Sequence, residues 1–462
     1  MRLPILVALM LTVSACKTVA PLEKPEPPIP AAFTPALTPD EAGEARRLTR
    51  EEMFRDPRLL RVIDLALENN RDLRLALLNV ETARAQNNIQ NAATQPDIDL
   101  QTSSNVERTR VQRKGKPEMI LQNNLSINLN AFEIDLFGRV RAMTEAAAAR
   151  YLASEEGYRA ARATLIGAVA ESYFAQRLAV EQRALMENIL ADWRQSAELA
   201  SARWRSGTGN EVDVIRAQAQ VSATEADLRG RERAVLRADN ALRLIVGADL
   251  PADLPPALAL DQNPVVTRLP AGLPSDLLLN RPDIRQAEQV LQASNADVAA
   301  ARAAFFPRLS LTAAVGFTSP ALGSLFSPTN NTWSFAPRLA LPIFNGGRLE
   351  GELDVAKVRR NEAVAQYEKA IQTAFREVAD GLAGSATLDA QIDAQQRTVA
   401  EVKRGVAMAD ARYKAGLEGR LELLEAQRQL QMTQQALLAL QAENIVNAVV
   451  LYKALGGEAT WK

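Results

Sequence analysis

The sequence contains no histidine and only one cysteine, Cys16, among its 462 residues. Without histidine there is no Ser/His/Asp triad, no imidazole base that works near neutral pH and no imidazole ligand for a metal. A single cysteine also rules out an internal disulfide and a cysteine-based zinc site. These absences exclude much enzymatic chemistry and predict a protein that uses no metal and no cofactor.

An excess of charge is also missing, and aromatic residues are scarce. Lys and Arg total 54 against 55 for Asp and Glu, which gives a formal net charge of −1, and aromatic residues make up 5% of the chain. A nearly neutral chain without a basic block offers no electrostatic footprint for a nucleic acid. Length alone predicts about three domains of ~150 residues each.

The N-terminus is typical of a bacterial secretory signal peptide. Arg2 precedes an apolar stretch at residues 3–13, which is shorter than the ~20 apolar residues that a membrane-spanning helix needs. Residues 13–16 (Val-Ser-Ala-Cys) resemble a lipobox, in which Cys16 is acylated and becomes the new N-terminus once residues 1–15 are removed. The alternative is an ordinary signal peptide with an incidental cysteine.

The residues after Cys16 favour the outer membrane. Lys17 follows Cys16 directly. In the lipoproteins that this segment resembles, an Asp at this position tends to retain the protein at the inner membrane. Seven of the 23 prolines lie in residues 21–39, a density that is typical of extended polyproline II. We interpret residues 16–56 as a lipid anchor followed by a Pro-rich tether.

An internal duplication organises the rest of the chain. With an offset of 211, residues 72–74 (Asp-Leu-Arg) match residues 283–285 (Asp-Ile-Arg). Farther along, the offset becomes 209, and Gly207 matches Gly416. The interpretation is two structural repeats. They comprise residues 57–250 and 275–457, with a Pro-rich linker at 251–274 and a tail at 458–462.

Both repeats have the same predicted order of elements. Each begins with a helix, continues with two strand-like segments and a very long helix, and ends with a Gly-containing turn and a last helix. At a rise of 1.5 Å per residue the long helices would each run ~100 Å, which no compact domain holds. The predicted helices are 71–95, 138–204 and 211–247 in the first repeat, and 282–306, 346–414 and 420–456 in the second.

Alternating apolar and polar residues predict two strands in each repeat. The apolar positions are Ile98, Leu100, Val106, Leu125, Ile127, Leu129, Leu309, Leu311, Val315, Phe317, Trp333, Phe335, Leu339, Leu341 and Ile343. Segments of about ten such residues fit a transmembrane β-barrel, although a half-buried sheet of a soluble protein has the same pattern. Four strands cannot close a barrel, and open edges are not viable in lipid, so a membrane sheet requires several chains.

Seven motifs and the lipobox resemble the OprM/NodT-like lipoprotein branch of the TolC outer-membrane efflux channel family. The motifs are residues 73–86 (LRLALLNVETARAQ), 132–140 (FEIDLFGRV), 273–283 (LPSDLLLNRPD), 301–311 (ARAAFFPRLSL), 341–348 (LPIFNGGR), 367–380 (YEKAIQTAFREVAD) and 451–456 (LYKALG). The resemblance covers nearly the whole chain.

The resemblance implies a homotrimer. Each chain would give four strands to a twelve-stranded barrel in the outer membrane and helices to a long periplasmic α-helical barrel. It also implies two partners, a periplasmic adaptor (membrane fusion) protein and an inner-membrane pump of the RND type. The trimer would be a passive exit duct without enzymatic activity, and the resemblance implies substrates such as drugs, solvents, metals or signalling lipids.

Family resemblance further points to four residues that would close the periplasmic mouth: Tyr413, Leu421, Glu425 and Arg428. Glu425 and Arg428 are three residues apart on one helix face, so the alternative is an exposed ion pair that contributes only ~0.2 to 0.5 kcal/mol. The pair occurs in the second repeat alone, where the first has Arg216 and Ala219. The adaptor is expected to dock at the hairpin tips around Gly207 and Gly416.

Two other functions remain open at this stage. A surface-displayed enzyme would have to rely on paired carboxylates such as Glu133 and Asp135. These two side chains share one face of a strand, and the simpler interpretation is that both are solvated and have no catalytic role. A structural coiled-coil lipoprotein of the outer membrane, without a pore, is the second alternative. A measurement of ion conductance in planar bilayers distinguishes them, because a pore conducts ions and a scaffold does not.

Overall fold

The computed structural model describes residues 48–110, 117–267 and 280–457, together with Ile29. The predicted signal peptide, Cys16 and the C-terminal tail lie outside the described residues. The helices are α1 (Arg50–Met53), α2 (Pro57–Asn69), α3 (Arg71–Ala92), α4 (Arg139–Arg205), α5 (Glu211–Val246), α6 (Pro282–Ala303), α7 (Arg348–Lys414) and α8 (Arg420–Ala454). The strands are β1 (Ile98–Arg110), β2 (Pro117–Ile134), β3 (Arg308–Ser319) and β4 (Asn331–Ala340).

The predicted helices and strands are confirmed, with corrections at their ends. The helices predicted to reach residues 95 and 306 end at Ala92 and Ala303. Pro96 and Pro307 follow them closely, and a residue before proline is disfavoured in the α conformation. The fourth strand ends at Ala340, so Leu341 and Ile343 do not belong to it.

Glycine conformation supports the duplication. Six glycines that the offset of 209 pairs with one another all have a positive φ, a conformation that favours glycine because a side chain is strained there. The pairs are Gly138 (77°) with Gly347 (85°), Gly207 (76°) with Gly416 (74°), and Gly247 (77°) with Gly456 (98°). The two repeats therefore make their turns at matching positions.

The chain forms two compact units. One of them comprises Leu78–Glu156 and Arg285–Lys369 and holds an antiparallel sheet in the order β1-β2-β3-β4. The β2–β3 pair joins strands from different repeats, with Ile127 opposite Val315. The sheet is thus two hairpins side by side, one from each copy of the duplication.

A β-bulge in β2 keeps its apolar residues on one face. Leu129 pairs with Ala313, but the next partners are Phe132 and Leu311, so β2 has one extra residue between them. Ala131 in the bulge has a φ of 38°, which is uncommon for a residue with a side chain. Side chains along a strand alternate between its two faces, and the extra residue shifts this alternation by one. Phe132 therefore projects to the same face as Leu129, although the two residues are three positions apart.

The other unit, the described part of Pro28–Leu77, Gly157–Ile284 and Ala370–Lys462, contains a buried apolar core. The core includes Phe54, Leu59, Ile63, Ala66, Ile166, Val169, Tyr173, Phe174, Leu242, Val246, Leu260, Val265, Ile445, Val449 and Tyr452. Residues 48–56 contribute α1 and the buried Phe54 to this core, and Phe54 forms a β-bridge with Val265. The tether predicted for residues 16–56 therefore does not extend this far, because Met53 and Phe54 are buried in the core.

Helix α2 was not predicted, although the sequence carries its start signal. Asp56 caps the helix and Pro57 occupies its first position, a combination that favours a helix N-terminus. The Asp56 carboxylate is fully buried and accepts hydrogen bonds from the Arg58 N–H (2.9 Å), the Leu258 N–H (3.2 Å) and the Tyr173 hydroxyl (2.7 Å). Burial, followed by the bond to Asp56, raises the pKa of Tyr173. Asp56 thereby joins α2, α4 and the linker after α5.

In both repeats the last two helices pair antiparallel. As residue numbers rise along α4, the numbers of their partners fall along α5, and α7 and α8 behave in the same way. The hydrogen-bonded pairs are Gln176 with Asp239 (3.0 Å) and Arg194 with Glu225 (2.7 Å) in the first repeat, and Asp389 with Asn444 (3.1 Å) and Gln395 with the Thr433 carbonyl (3.0 Å) in the second.

Candidate functional site

One face of the sheet is apolar and exposed. The pairing registers place Leu100, Ile127, Val315 and Trp333 opposite one another across all four strands, and residues opposite one another project to the same face. Leu100 is 71% exposed and Trp333 77% exposed. Water does not favour such a surface, so the face requires an apolar environment that the single chain does not provide.

The opposite face of the sheet is polar or small. The row next to the apolar one consists of Gln101, Ser126, Gly316 and Thr332. A Cβ atom at Gly316 would lie 2.1 Å from the Leu125 carbonyl oxygen, so this close approach of β2 and β3 needs glycine. The alternation predicted from the sequence thus separates an apolar face from a polar one.

The sheet of the described residues has two open edges. β1 and β4 are its outer strands, and each pairs with one neighbour. An unpaired edge presents N–H and C=O groups that another strand can bind. Pro337 in β4 has no N–H to donate, which a strand tolerates at an edge.

The two predicted hairpin tips have the same geometry. At the first, the Gly207 N–H donates to the Trp204 carbonyl (3.0 Å) and the Thr208 N–H to the Arg203 carbonyl (3.0 Å). At the second, the matching bonds run from Gly416 to Tyr413 (3.1 Å) and from Leu417 to Arg412 (2.9 Å). Both are Schellman motifs that end a long helix at a glycine with positive φ.

The four predicted gate residues lie at the second tip, but the structure does not join them into one polar cluster. The Arg203 guanidinium lies over the Tyr413 ring, 4.6 Å from its centroid. Glu425 and Arg428 form an exposed ion pair at 3.8 Å, and Leu421 is exposed. Among the described residues, Tyr413 makes no hydrogen bond to Glu425 or Arg428.

A buried arginine at the same tip was missed. Arg420, in the first turn of α8, is 5% exposed, and its Nη2 donates to the Ser196 carbonyl (3.0 Å) and hydroxyl (2.8 Å) on α4. Periodicity does not predict burial of a charged residue. The signal available in the sequence was the comparison of the two repeats. The position equivalent to Arg420 in the first repeat holds Glu211, so the two tips carry opposite charges there.

The carboxylates considered for an enzyme are engaged in local contacts. Glu133 pairs with Arg139 at 2.6 Å, and Asp135 accepts a hydrogen bond from the Arg141 N–H at 2.8 Å. Within the described residues, no group of three or more acidic or cysteine side chains is placed to hold a metal ion. No helix of these described residues combines the length and the apolar character needed to cross a membrane.

Comparisons with known proteins agree with this architecture. The family model for the outer membrane efflux protein matches residues 62–248 and 273–457. The solvent efflux pump outer membrane protein SrpC of Pseudomonas putida is 42% identical over 464 residues, which cover 98% of this chain and 97% of SrpC. The cation efflux system protein CusC of Escherichia coli (strain K12) is 38% identical over 459 residues, 98% of each chain.

A solved structure gives the same result. The crystal structure of the open state of the Neisseria gonorrhoeae MtrE outer membrane channel matches with a TM-score of 0.87 at 37% identity, covering 96% of this chain and 99% of that one. The family model covers both repeats, and the relatives are matched over nearly their full length. The chain therefore belongs to the outer membrane efflux protein family and is the outer-membrane channel component of a tripartite efflux system.

Proposed function

We propose that three copies of this chain close their sheets into one twelve-stranded barrel that forms a passive exit duct. The observation that carries this proposal is the four-stranded sheet, which has an exposed apolar face and two open edges. Pairing β1 of one copy with β4 of the next removes every edge, as lipid requires. The apolar face then meets lipid and the polar face lines water.

The duct performs no chemistry in this proposal. Substrates reach it from a periplasmic adaptor and an inner-membrane RND-type pump, and the pump supplies the energy. The matched relatives are named for a solvent pump and for a cation system, so similar ducts serve chemically different cargo. The adaptor docks at the hairpin tips around Gly207 and Gly416, which present short exposed turns.

The N-terminal segment anchors the chain to lipid. Removal of residues 1–15 exposes Cys16, which carries the acyl chains, and a Pro-rich tether leads to the first repeat. A Cys16→Ser variant tests this point by mass spectrometry of the N-terminal peptide. Loss of the acylated species supports the anchor, and lipid that persists on the variant refutes it.

Tyr413, Leu421, Glu425 and Arg428 close the periplasmic mouth. Their support is their common position at the second tip, where Tyr413 is covered by Arg203 and Leu421 stays exposed. In planar bilayers a Tyr413→Phe, Arg428→Ser variant should conduct more than wild type. Equal conductance would remove these residues from the gate while leaving the duct itself in place.

A further inference from the structure

The β1–β2 pair continues past the last residues that pair β2 with β3. The β2–β3 register stops at Asn123 opposite Ser319. Strands β1 and β2 stay paired beyond this point over residues 105–110 and 117–122, which we call the distal ribbon. Helices α3 and α4 join the two strands at their other end, where β1 begins and β2 ends. The distal ribbon therefore lies at the end of the sheet opposite these helices.

The distal ribbon extends the apolar face of the sheet. The register of β1 with β2 has no break, so alternate residues of β1 from Leu100 onward stay on one face. Val106 therefore lies on the face of Leu100, with Leu121 opposite it. Two residues farther on, Arg108 lies opposite Met119 on the same face, and Met119 is 67% exposed. The exposed apolar surface thus continues into the ribbon as far as Arg108.

The loop between β3 and β4 covers a polar part of the same face. The Asn123 amide donates to the Ser319 carbonyl (3.2 Å), and the Ser319 hydroxyl donates to the Ala321 carbonyl in the loop (2.9 Å). The side chains of Asn123 and Ser319 are buried. Farther along the loop, the exposed Phe326 packs edge-to-face against Phe317, with ring centroids 5.6 Å apart. Aromatic residues of this kind are typical of the level at which a barrel leaves the hydrocarbon of a membrane.

Positive charge marks the end of the apolar face. Within the described strands, this face carries no charged residue until Arg108 is reached in the distal ribbon. Every acidic residue of these strands takes a position on the opposite face, including Glu107 beside Arg108. Arg108 is exposed and makes no hydrogen bond or ion pair with another described residue. Its guanidinium is therefore available to an anion from outside the chain.

The position of Arg108 along β1 matches the thickness of a membrane. Arg108 lies ten residues beyond Ile98, the first residue of the strand. At a rise of ~3.4 Å per residue this is ~34 Å along the strand, or about 24–28 Å along the axis of a barrel whose strands tilt by ~35–45°. The apolar band of outer-membrane barrels is ~25 Å tall. Arg108 therefore stands where the band gives way to lipid headgroups, on the side opposite the helices.

We propose that Arg108 and the distal ribbon bind a phosphate-bearing lipid of the outer leaflet. The guanidinium donates to phosphate oxygens of the headgroup, a geometry that suits arginine, and the acyl chains lie along Val106, Leu121 and Met119. A free phosphate would use the arginine alone, so the apolar strip beside it favours a lipid of the lipopolysaccharide class. The inference rests on the proposed barrel and names the class of lipid that its outer rim binds.

The test is the affinity of the purified full-length protein in detergent for bis-phosphorylated lipid A, measured by titration in native mass spectrometry. We expect Arg108→Gln to raise the Kd about fivefold, because it removes the charged donor to the phosphate. Arg338→Gln is the matched control, since Arg338 is an exposed arginine of β4 on the opposite face, and it should bind like wild type. Lipid A without its phosphates should bind the wild type about fivefold more weakly, and Arg108→Gln should bind it no more weakly than the wild type does.

Equal affinity of wild type and Arg108→Gln for phosphorylated lipid A overturns the lipid site. Where the variant does not assemble, the wild type alone decides, because equal affinity for lipid A with and without its phosphates overturns the site as well. Displacement of bound lipid A by an equimolar amount of inorganic phosphate would assign Arg108 to a free anion and reject the lipid. Ion conductance in planar bilayers tests the barrel separately. A wild type that conducts but fails the binding tests retains the duct and rejects the lipid site, whereas one that inserts without conducting rejects the duct on which the site rests.

Discussion

The Arg281 guanidinium donates a 2.8 Å hydrogen bond to the main-chain carbonyl of Ala454, joining the start of α6 to the end of α8. The first repeat makes the same junction with a different residue: the Asn70 side chain donates to the Ile245 carbonyl at 2.7 Å. Asn70 and Arg281 are related by the offset of 211, and Ile245 and Ala454 by 209. Each repeat therefore joins the end of its last helix to the start of its first.

Replacing Arg281 by alanine should lower the free energy of unfolding by about 2–4 kcal/mol. Arg281 is buried and also pairs with Asp283 (2.7 Å) and Glu377 (2.9 Å). Burial acts to lower the pKa of Arg281, but the two carboxylates outweigh it and the pKa is raised. The variant leaves both acids and the Ala454 carbonyl without their donor, which chemical denaturation of the detergent-solubilised protein would detect.

Arg348→Ala is the control for this change. Arg348 pairs with Glu352 on the surface of α7, where both side chains are more than half exposed, so its loss should cost less than about 0.5 kcal/mol. Equal effects of the two substitutions would show that the buried junction contributes nothing particular to stability.

At the first junction, Asn70→Ala should cost about 2 kcal/mol, because the side chain makes two bonds. It donates to the Ile245 carbonyl and accepts from the Leu73 N–H at 2.8 Å. Asn210→Ala removes a helix cap alone, the bond from the Val212 N–H at 3.0 Å, and should cost about 1 kcal/mol. If Asn210→Ala proves as costly as Asn70→Ala in the same denaturation assay, the Ile245 bond adds no stability.

Gly316→Ala should disturb the pairing of β2 with β3. The added Cβ would lie 2.1 Å from the Leu125 carbonyl oxygen and 2.6 Å from the Ser126 Cα, both of them backbone atoms that cannot move independently. Overpacking of this kind costs about 1–3 kcal/mol, which should lower the temperature at which the oligomer dissociates on a gel. Gly323→Ala, where a Cβ meets nothing within 4 Å, should not lower it. Retention of the wild-type temperature by Gly316→Ala would contradict the close approach.

Stability should depend on pH through Glu181. Its carboxylate accepts from the Leu260 N–H at 3.1 Å, and burial raises its pKa above the ordinary 4.5. The folded state then holds the proton more tightly than the unfolded state does. The contribution of this residue to stability is thus full below pH 4.5 and is lost as the pH rises through the raised pKa. Relative to Glu181→Gln, wild type should lose stability across that interval; parallel pH curves would contradict the shift.

Periodicity was enough to predict most of the fold. The long helices were expected at 138–204 and 346–414 and occur at Arg139–Arg205 and Arg348–Lys414. Their ends were predictable because each helical stretch is bounded by glycines that the duplication pairs. The bulge at Ala131 was not predicted, since it depends on the register with β3. Helix α2 was missed because the match between the two repeats begins at Asp72, after α2 has ended at Asn69.

The site was harder to predict than the fold. The tip glycines Gly207 and Gly416 stand at tight turns, as expected, because the need for a positive φ is visible in the sequence. Burial of a charged side chain is not visible there, so neither Arg420 nor Arg281 was singled out. Both depend on partners more than 90 residues away, Ser196 and Glu377, and only the folded chain brings these together.

The most direct test of the account is the conductance of the purified full-length protein in planar bilayers, measured beside the Tyr413→Phe, Arg428→Ser variant. The account predicts discrete ion-conducting channels from the wild type and a larger time-averaged conductance from the variant. A protein that inserts into the bilayer yet conducts no ions, both as wild type and with Tyr413 and Arg428 replaced, would contradict the duct and favour a structural scaffold.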